Sequence, residues 1–60
     1  MWIKTINGVL VNTDALTTIS YNGNYTIAFM GGKNIIISNN DSRDEIIEAI
    51  CNDYDFLEVL

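Results

Sequence analysis

Histidine and proline are absent from this 60-residue chain, cysteine occurs once, at Cys51, and only Lys4, Lys33 and Arg43 are basic. Each shortage excludes something. A single thiol cannot close an intrachain disulfide, and without histidine the usual Cys/His zinc site has no ligand set. Three dispersed bases provide no groove to track a phosphate backbone, so direct nucleic-acid binding is disfavoured. No run approaches the ~18 apolar residues that a membrane span needs. Met1-Trp2-Ile3-Lys4 passes into alternation and a turn instead of an unbroken apolar stretch, so no signal peptide is expected. A lone thiol suits a reducing cytoplasm. Asn24-Tyr25-Thr26 and Asn40-Asp41-Ser42 match the glycosylation pattern, but in a chain with eight asparagines and no secretion signal they read as coincidence.

What is present is apolar. Hydrophobic residues make up 48% of the chain, ten of them isoleucine, which is a globular composition. The length allows one domain, spanning residues 1–60. A domain this short buries only about 60% of its unfolded surface, and chains below roughly 70–80 residues usually need a disulfide, a metal or a partner. Self-association is therefore expected. Charge is lopsided: the first forty residues carry two bases and one acid, Asp14, whereas the last twenty carry one base and seven acids.

Turns punctuate the chain through Gly and Asn. Asn7-Gly8, between the β-forming Trp2–Ile6 and Val9–Asn12, predicts a type I′ hairpin that sets Ile6 opposite Val9 and Lys4 opposite Val11. Asn12-Thr13-Asp14-Ala15 is a polar turn that drops Leu16 into the core. Thr17–Tyr21 reads as a third strand, and Asn22-Gly23-Asn24 turns it into Tyr25–Met30. Gly31-Gly32 leads into Asn34–Ser38, where Ile35-Ile36-Ile37 is apolar on both faces and suggests a central strand. The expected fold class is α+β, an antiparallel meander of five short strands followed by one C-terminal amphipathic helix and an apolar tail.

The period changes after Asn39-Asn40-Asp41. Ser42-Arg43-Asp44-Glu45 fits a capping box. Ile46, Ile47, Ile50, Cys51 and Tyr54 then follow helical spacing on one face, with Asp44, Glu48 and Asn52 turned away. The helix is expected to end near Tyr54, with Asp55–Leu60 as an extended tail.

Chemistry has few footholds. Cys51 has no histidine to activate it and lies on the expected apolar face. Asp53, Asp55 and Glu58 are close in sequence, but paired acids catalyse only in a pocket that separates their pKa values. Asn39, Asn40, Asp41, Asp44 and Glu45 lack the spacing of a calcium loop, and Gly31-Gly32-Lys33 precedes a strand where a phosphate loop would open a helix. No catalytic, cofactor or metal residue is assigned. Trp2, Tyr21 and Tyr25 read as core or as interface anchors.

Several features together resemble the small bacterial flagellar FlbD family. They are Ile6-Asn7-Gly8 in a first hairpin, Asn12 with Asp14 and Leu16 before a strand, Thr26-Ile27, the Gly32-Lys33 turn, and Ser42 with Glu45 and Ile46 opening a helix. The match covers most of residues 3–50 and departs from the family in lacking a proline after Asn12 and in the acidic tail. In size and Ile/Asn-rich composition the chain is also similar to small accessory proteins of low-GC bacteria and their phages. The first resemblance implies a flagellar accessory role, and the second a phage- or plasmid-borne inhibitor.

Taken with the composition, the expectation is a non-enzymatic acidic protein-binding module, an adaptor or inhibitor of a basic, nucleic-acid-handling host protein. Asp44, Glu48, Asp53, Asp55 and Glu58 would face that partner. A homodimer is expected, with Ile36, Phe56, Leu57, Val59 and Leu60 as the self-association residues. A weak nucleic-acid binder using sheet aromatics is the other class of reading.

Overall fold

Asn7 keeps a negative φ while Gly8 adopts +80°, so the first hairpin is not the type I′ turn that Asn-Gly suggests. A computed structural model describes every residue from Met1 to Leu60. The Gly8 N–H donates to the Thr5 carbonyl and the Thr5 N–H to the Val9 carbonyl, both at 2.9 Å, closing a three-residue loop with Gly8 as its bulge. Strand β1 (Trp2–Lys4) thus pairs with β2 (Leu10–Asn12) one residue away from the expected register, with Lys4 opposite Leu10 and Ile3 opposite Val11. Burial decides this. A one-residue slip turns every side chain to the other face, and only this register puts Ile3 and Val11 together in the core. Ile6, expected opposite Val9, instead donates its N–H to the Ile37 carbonyl at 3.0 Å. The buried Thr5 hydroxyl accepts the Val9 N–H at 3.1 Å, which stiffens the loop.

After a 3-10 turn at Thr13–Ala15, capped by the Asn12 side chain, the chain enters a second sheet. Strands β3 (Thr18–Tyr21), β4 (Thr26–Met30) and β5 (Lys33–Ser38) form it, antiparallel, with β4 in the middle. The type I′ signature lies at Gly31-Gly32, where both φ angles are positive, +53° and +83°. By the strand order, β5 lies at an edge of its sheet and not at its centre. Its apolar run is explained by a bulge: Ile36 pairs with Ile27 and Ser38 with Thr26, leaving Ile37 as the extra residue. Ile37 and Ser38 are consecutive, yet both are fully buried.

Helix α1 spans Arg43–Cys51 and buries Ile46 and Ala49; the expected Ile47, Ile50 and Tyr54 remain half-exposed and Cys51 exposed. Its rotation is set at the start. Ser42 is buried and makes no side-chain cap bond, so the capping box with Glu45 does not form. The Ser42 N–H donates to Thr26 Oγ1 (2.8 Å), and Thr26 donates in turn to the Asn40 carbonyl (2.6 Å). Ser38 donates to that same carbonyl (2.8 Å), which leaves Ser42 as donor across its 2.7 Å contact with Ser38, with Asn40 Oδ1 as a second acceptor at 3.0 Å. Three buried hydroxyls thus fasten the helix start to β4 and β5.

The helix ends three residues before Tyr54. The Tyr54 N–H donates to the Ala49 carbonyl (3.0 Å) and the Asp53 N–H to the Ile50 carbonyl (3.1 Å), a Schellman closure with Asp53 in the left-handed region at φ +57°. The tail is a sixth strand, β6 (Phe56–Glu58), parallel to β1, with Ile3 opposite Leu57. The fold is α+β with six strands in two three-stranded sheets, β2-β1-β6 and β3-β4-β5, and its helix is not C-terminal. Ile3, Val11, Ala28, Ile37, Ile46 and Val59 form one core cluster between them. No helix is long and apolar enough to cross a membrane.

Candidate functional site

The acids expected to meet a partner do not gather on one surface. Asp44 and Glu48 are exposed on the outward side of α1. Glu58 stands on the outer face of sheet β2-β1-β6, its carboxylate 3.6 Å from the Lys4 ammonium. An exposed pair of this kind contributes about 0–1 kcal/mol, so its effect is to neutralise that face. Asp53 and Asp55 lie elsewhere, beside a depression also lined by Met1, Thr13, Asp14, Ile50 and Tyr54. Asp41 takes no part. Arg43 grips it in two hydrogen bonds, at 2.9 and 2.7 Å, and lies 5.6 Å from the centre of the Tyr21 ring. The side-chain hydrogen bond from Arg43, and then its backbone N–H, hold the Asp41 carboxyl below the ordinary carboxylate range. No three His, Cys, Asp or Glu side chains come together in a geometry that could hold a metal ion.

The residues expected to self-associate are likewise dispersed. Val59 is buried and Leu57 half-buried, so two of the tail's four apolar side chains are spent inside the chain. Only Leu60 extends freely. Phe56 and Ile36 remain exposed, on different sheets.

Those two residues mark two uncovered sheet faces. In sheet β2-β1-β6, Ile3, Val11 and Leu57 point into the core, so Trp2, Leu10 and Phe56 point outward, roughly half exposed at 49%, 58% and 50%. In sheet β3-β4-β5, the row Ile19, Ala28, Ile35 faces the core. The opposite face presents Ser20, Ile27 and Ile36 in one row and Thr18, Phe29 and Asn34 in the next. Neither of these two rows contains a charged side chain. Sequence reading missed Ile27 and Phe29 as half-buried residues of this outer face. The alternation along Tyr25–Met30 shows two faces, but Thr26 and Ala28 look like the outward set until the buried hydroxyl network and the close-packed Ala28 are known.

A second depression, lined by Thr13, Leu16, Thr17, Thr18, Ile19 and Ile50, adjoins the first, and the two share Thr13 and Ile50. They measure about 300 and 270 Å³ and form a trough between α1 and the segment Thr13–Ile19. No family model, curated protein or solved structure matches this chain.

Proposed function

We propose that the chain is a non-enzymatic protein-binding module, an adaptor or inhibitor of the cytoplasm, that works as a homodimer. The observation that carries this reading is that each sheet is covered on one face only, with Trp2, Leu10 and Phe56 exposed on one outer face and Ile36 exposed beside the half-buried Ile27 and Phe29 on the other. Apolar patches rimmed by polar residues are what protein interfaces are made of. The lone exposed thiol of Cys51 supports a reducing compartment.

The second copy belongs on the outer face of β3-β4-β5. The chain carries a net charge of −5, so two copies repel wherever their acids meet. The rows around Ile27, Phe29 and Ile36 bring no charge to the contact. A twofold arrangement of that face on itself is the commonest closed solution. This moves the expected interface from the tail to the sheet, keeping Ile36 from the original set. The outer face of β2-β1-β6 stays free, with Trp2 and Phe56 as anchors for a different protein.

Sedimentation equilibrium through the micromolar range tests the dimer. The native chain should run above its single-chain 6.7 kDa, and Ile36→Lys, a change at an exposed position, should return it to the monomer mass while preserving its circular dichroism. A native mass that stays at one chain throughout would sink the dimer. A second reading has one observation in its favour: Trp2 and Phe56 are opposite each other across β1 and β6 on an open sheet face, the arrangement on which bases stack. Salt-sensitive quenching of Trp2 fluorescence by oligonucleotides would promote it. The two resemblances propose partners of two kinds, a flagellar component or a basic host protein that handles nucleic acid.

A further inference from the structure

The trough between α1 and the Thr13–Ile19 segment combines an apolar floor with charge of one sign. Ile50, 46% exposed, is common to both of its halves; Leu16 and Ile19 flank it on one side, and Met1 and Tyr54 on the other. Ile47, one helical turn before Ile50, extends the apolar strip along the helix and is also exposed. Asp14 comes from the turn after β2, while Asp53 and Asp55 come from the closure of α1. These three carboxylates line one end, and apart from the α-amino group of Met1 no cationic group lines either half.

Three kinds of ligand fit poorly. Phosphate groups meet three carboxylates. Small molecules bind where most of their surface is enclosed, and these two shallow halves leave one side open to solvent. The acids do not converge as a metal-ligand set. A peptide with aliphatic side chains next to lysine or arginine fits both properties, since the aliphatic groups cover Ile50 and the cations lie against the carboxylates. We infer that the trough is a docking site for a basic, aliphatic segment of a partner protein. This rests on the protein-binding reading above and specifies the chemistry of the partner; it favours the basic host protein over other candidates. Asp53 and Asp55 are the two acids from the expected partner-facing set that it uses. Asp44 and Glu48 are exposed on α1 but line neither half of the trough, and they serve as internal controls.

The test uses the full chain and a blocked synthetic peptide, Lys-Arg-Leu-Leu-Arg-Lys, with an acidic counterpart in which every base is replaced by glutamate. Binding is followed by NMR shifts of the Ile50 methyl groups and the Thr13, Asp53 and Asp55 amides. Saturable shifts are expected with the basic peptide, none with the acidic one, and a Kd that rises about tenfold between 50 and 300 mM salt as screening shortens. Asp53→Asn together with Asp55→Asn should weaken binding at least fivefold, whereas Asp44→Asn with Glu48→Gln should change it less than twofold. Equal weakening by both pairs would mean diffuse attraction to an acidic surface and overturn the site, as would unshifted Ile50 methyls at millimolar peptide. Failure here with an intact Ile36-dependent dimer rejects the trough and leaves the protein-binding reading standing. Loss of both would reject the module itself.

Discussion

Thr26 is fully buried, yet both capacities of its hydroxyl are used, accepting from the Ser42 N–H and donating to the Asn40 carbonyl. Valine has nearly the same shape and neither capacity. In Thr26→Val the Asn40 carbonyl still receives the Ser38 hydroxyl, so only the buried Ser42 N–H is stranded. A stranded buried donor costs about 1–3 kcal/mol. A denaturant melt should show a loss of that size, and an unchanged midpoint would show that water or a backbone shift supplies the missing acceptor. Asp53 offers the opposite case. A left-handed backbone costs an L-residue roughly 1–2 kcal/mol, part of which glycine forfeits through its unfolded-state freedom. Asp53 also sets a negative charge at the negative end of the helix dipole. Asp53→Gly should therefore stabilise the fold by about 0.5–1 kcal/mol, read as a higher denaturation midpoint. A lower midpoint would mean that the aspartate makes a contact worth more than its strain.

At the scale of elements, the helix tests where the core lies. Ile46 is fully buried, and Ile46→Ala should cost about 2–5 kcal/mol. That is a large share of the stability of so small a domain. Ile50 borders the trough and is nearly half exposed, so Ile50→Ala should cost about 1 kcal/mol, in proportion to the area it loses. Equal losses in thermal melts of the two variants would contradict the helix rotation described here. Strand β6 makes a similar point about the tail. Its residues alternate, Leu57 and Val59 inward, Phe56 and Glu58 outward, and the Val59 N–H donates to the Lys4 carbonyl at 3.0 Å. That is the pattern of a half-buried strand: the tail completes a sheet through Leu57 and Val59 and still leaves Phe56 and Leu60 exposed.

For the molecule as a whole, two thin sheets share one core and each keeps an outer face bare. Eleven of the 60 residues are buried, and four of those are polar, so the core leans on satisfied hydroxyls as well as on isoleucine. So small a core supplies little stability unaided. A second copy on the Ile27, Phe29 and Ile36 face would add to it by mass action. The unfolding temperature of the native chain should accordingly rise with protein concentration, and that of Ile36→Lys should not.

Local chemistry determined much of this. The glycine turns, the polar turn at Asn12–Ala15, most strand positions and the existence of a helix after Ser42 all follow from residues that act on their immediate neighbours, through φ preferences and hydrogen bonds. The tertiary structure decided what depends on distant partners. Asn7-Gly8 permits two hairpin geometries, and the pairing of Ile3 with Val11 against the core selected one. Ser42 looks like a helix cap, but Thr26, sixteen residues earlier, and Ser38 claim it for a buried network. The isoleucines of α1 define a broad apolar arc, and that anchoring turned Ile46 and Ala49 inward while leaving Ile47 and Ile50 at the surface. The tail's alternation is a local property, but its parallel pairing with β1 joins the two ends of the chain. Asp14 reaches the same trough as Asp53 and Asp55 only because the turn after β2 packs beside the end of α1, a proximity that no sequence spacing encodes.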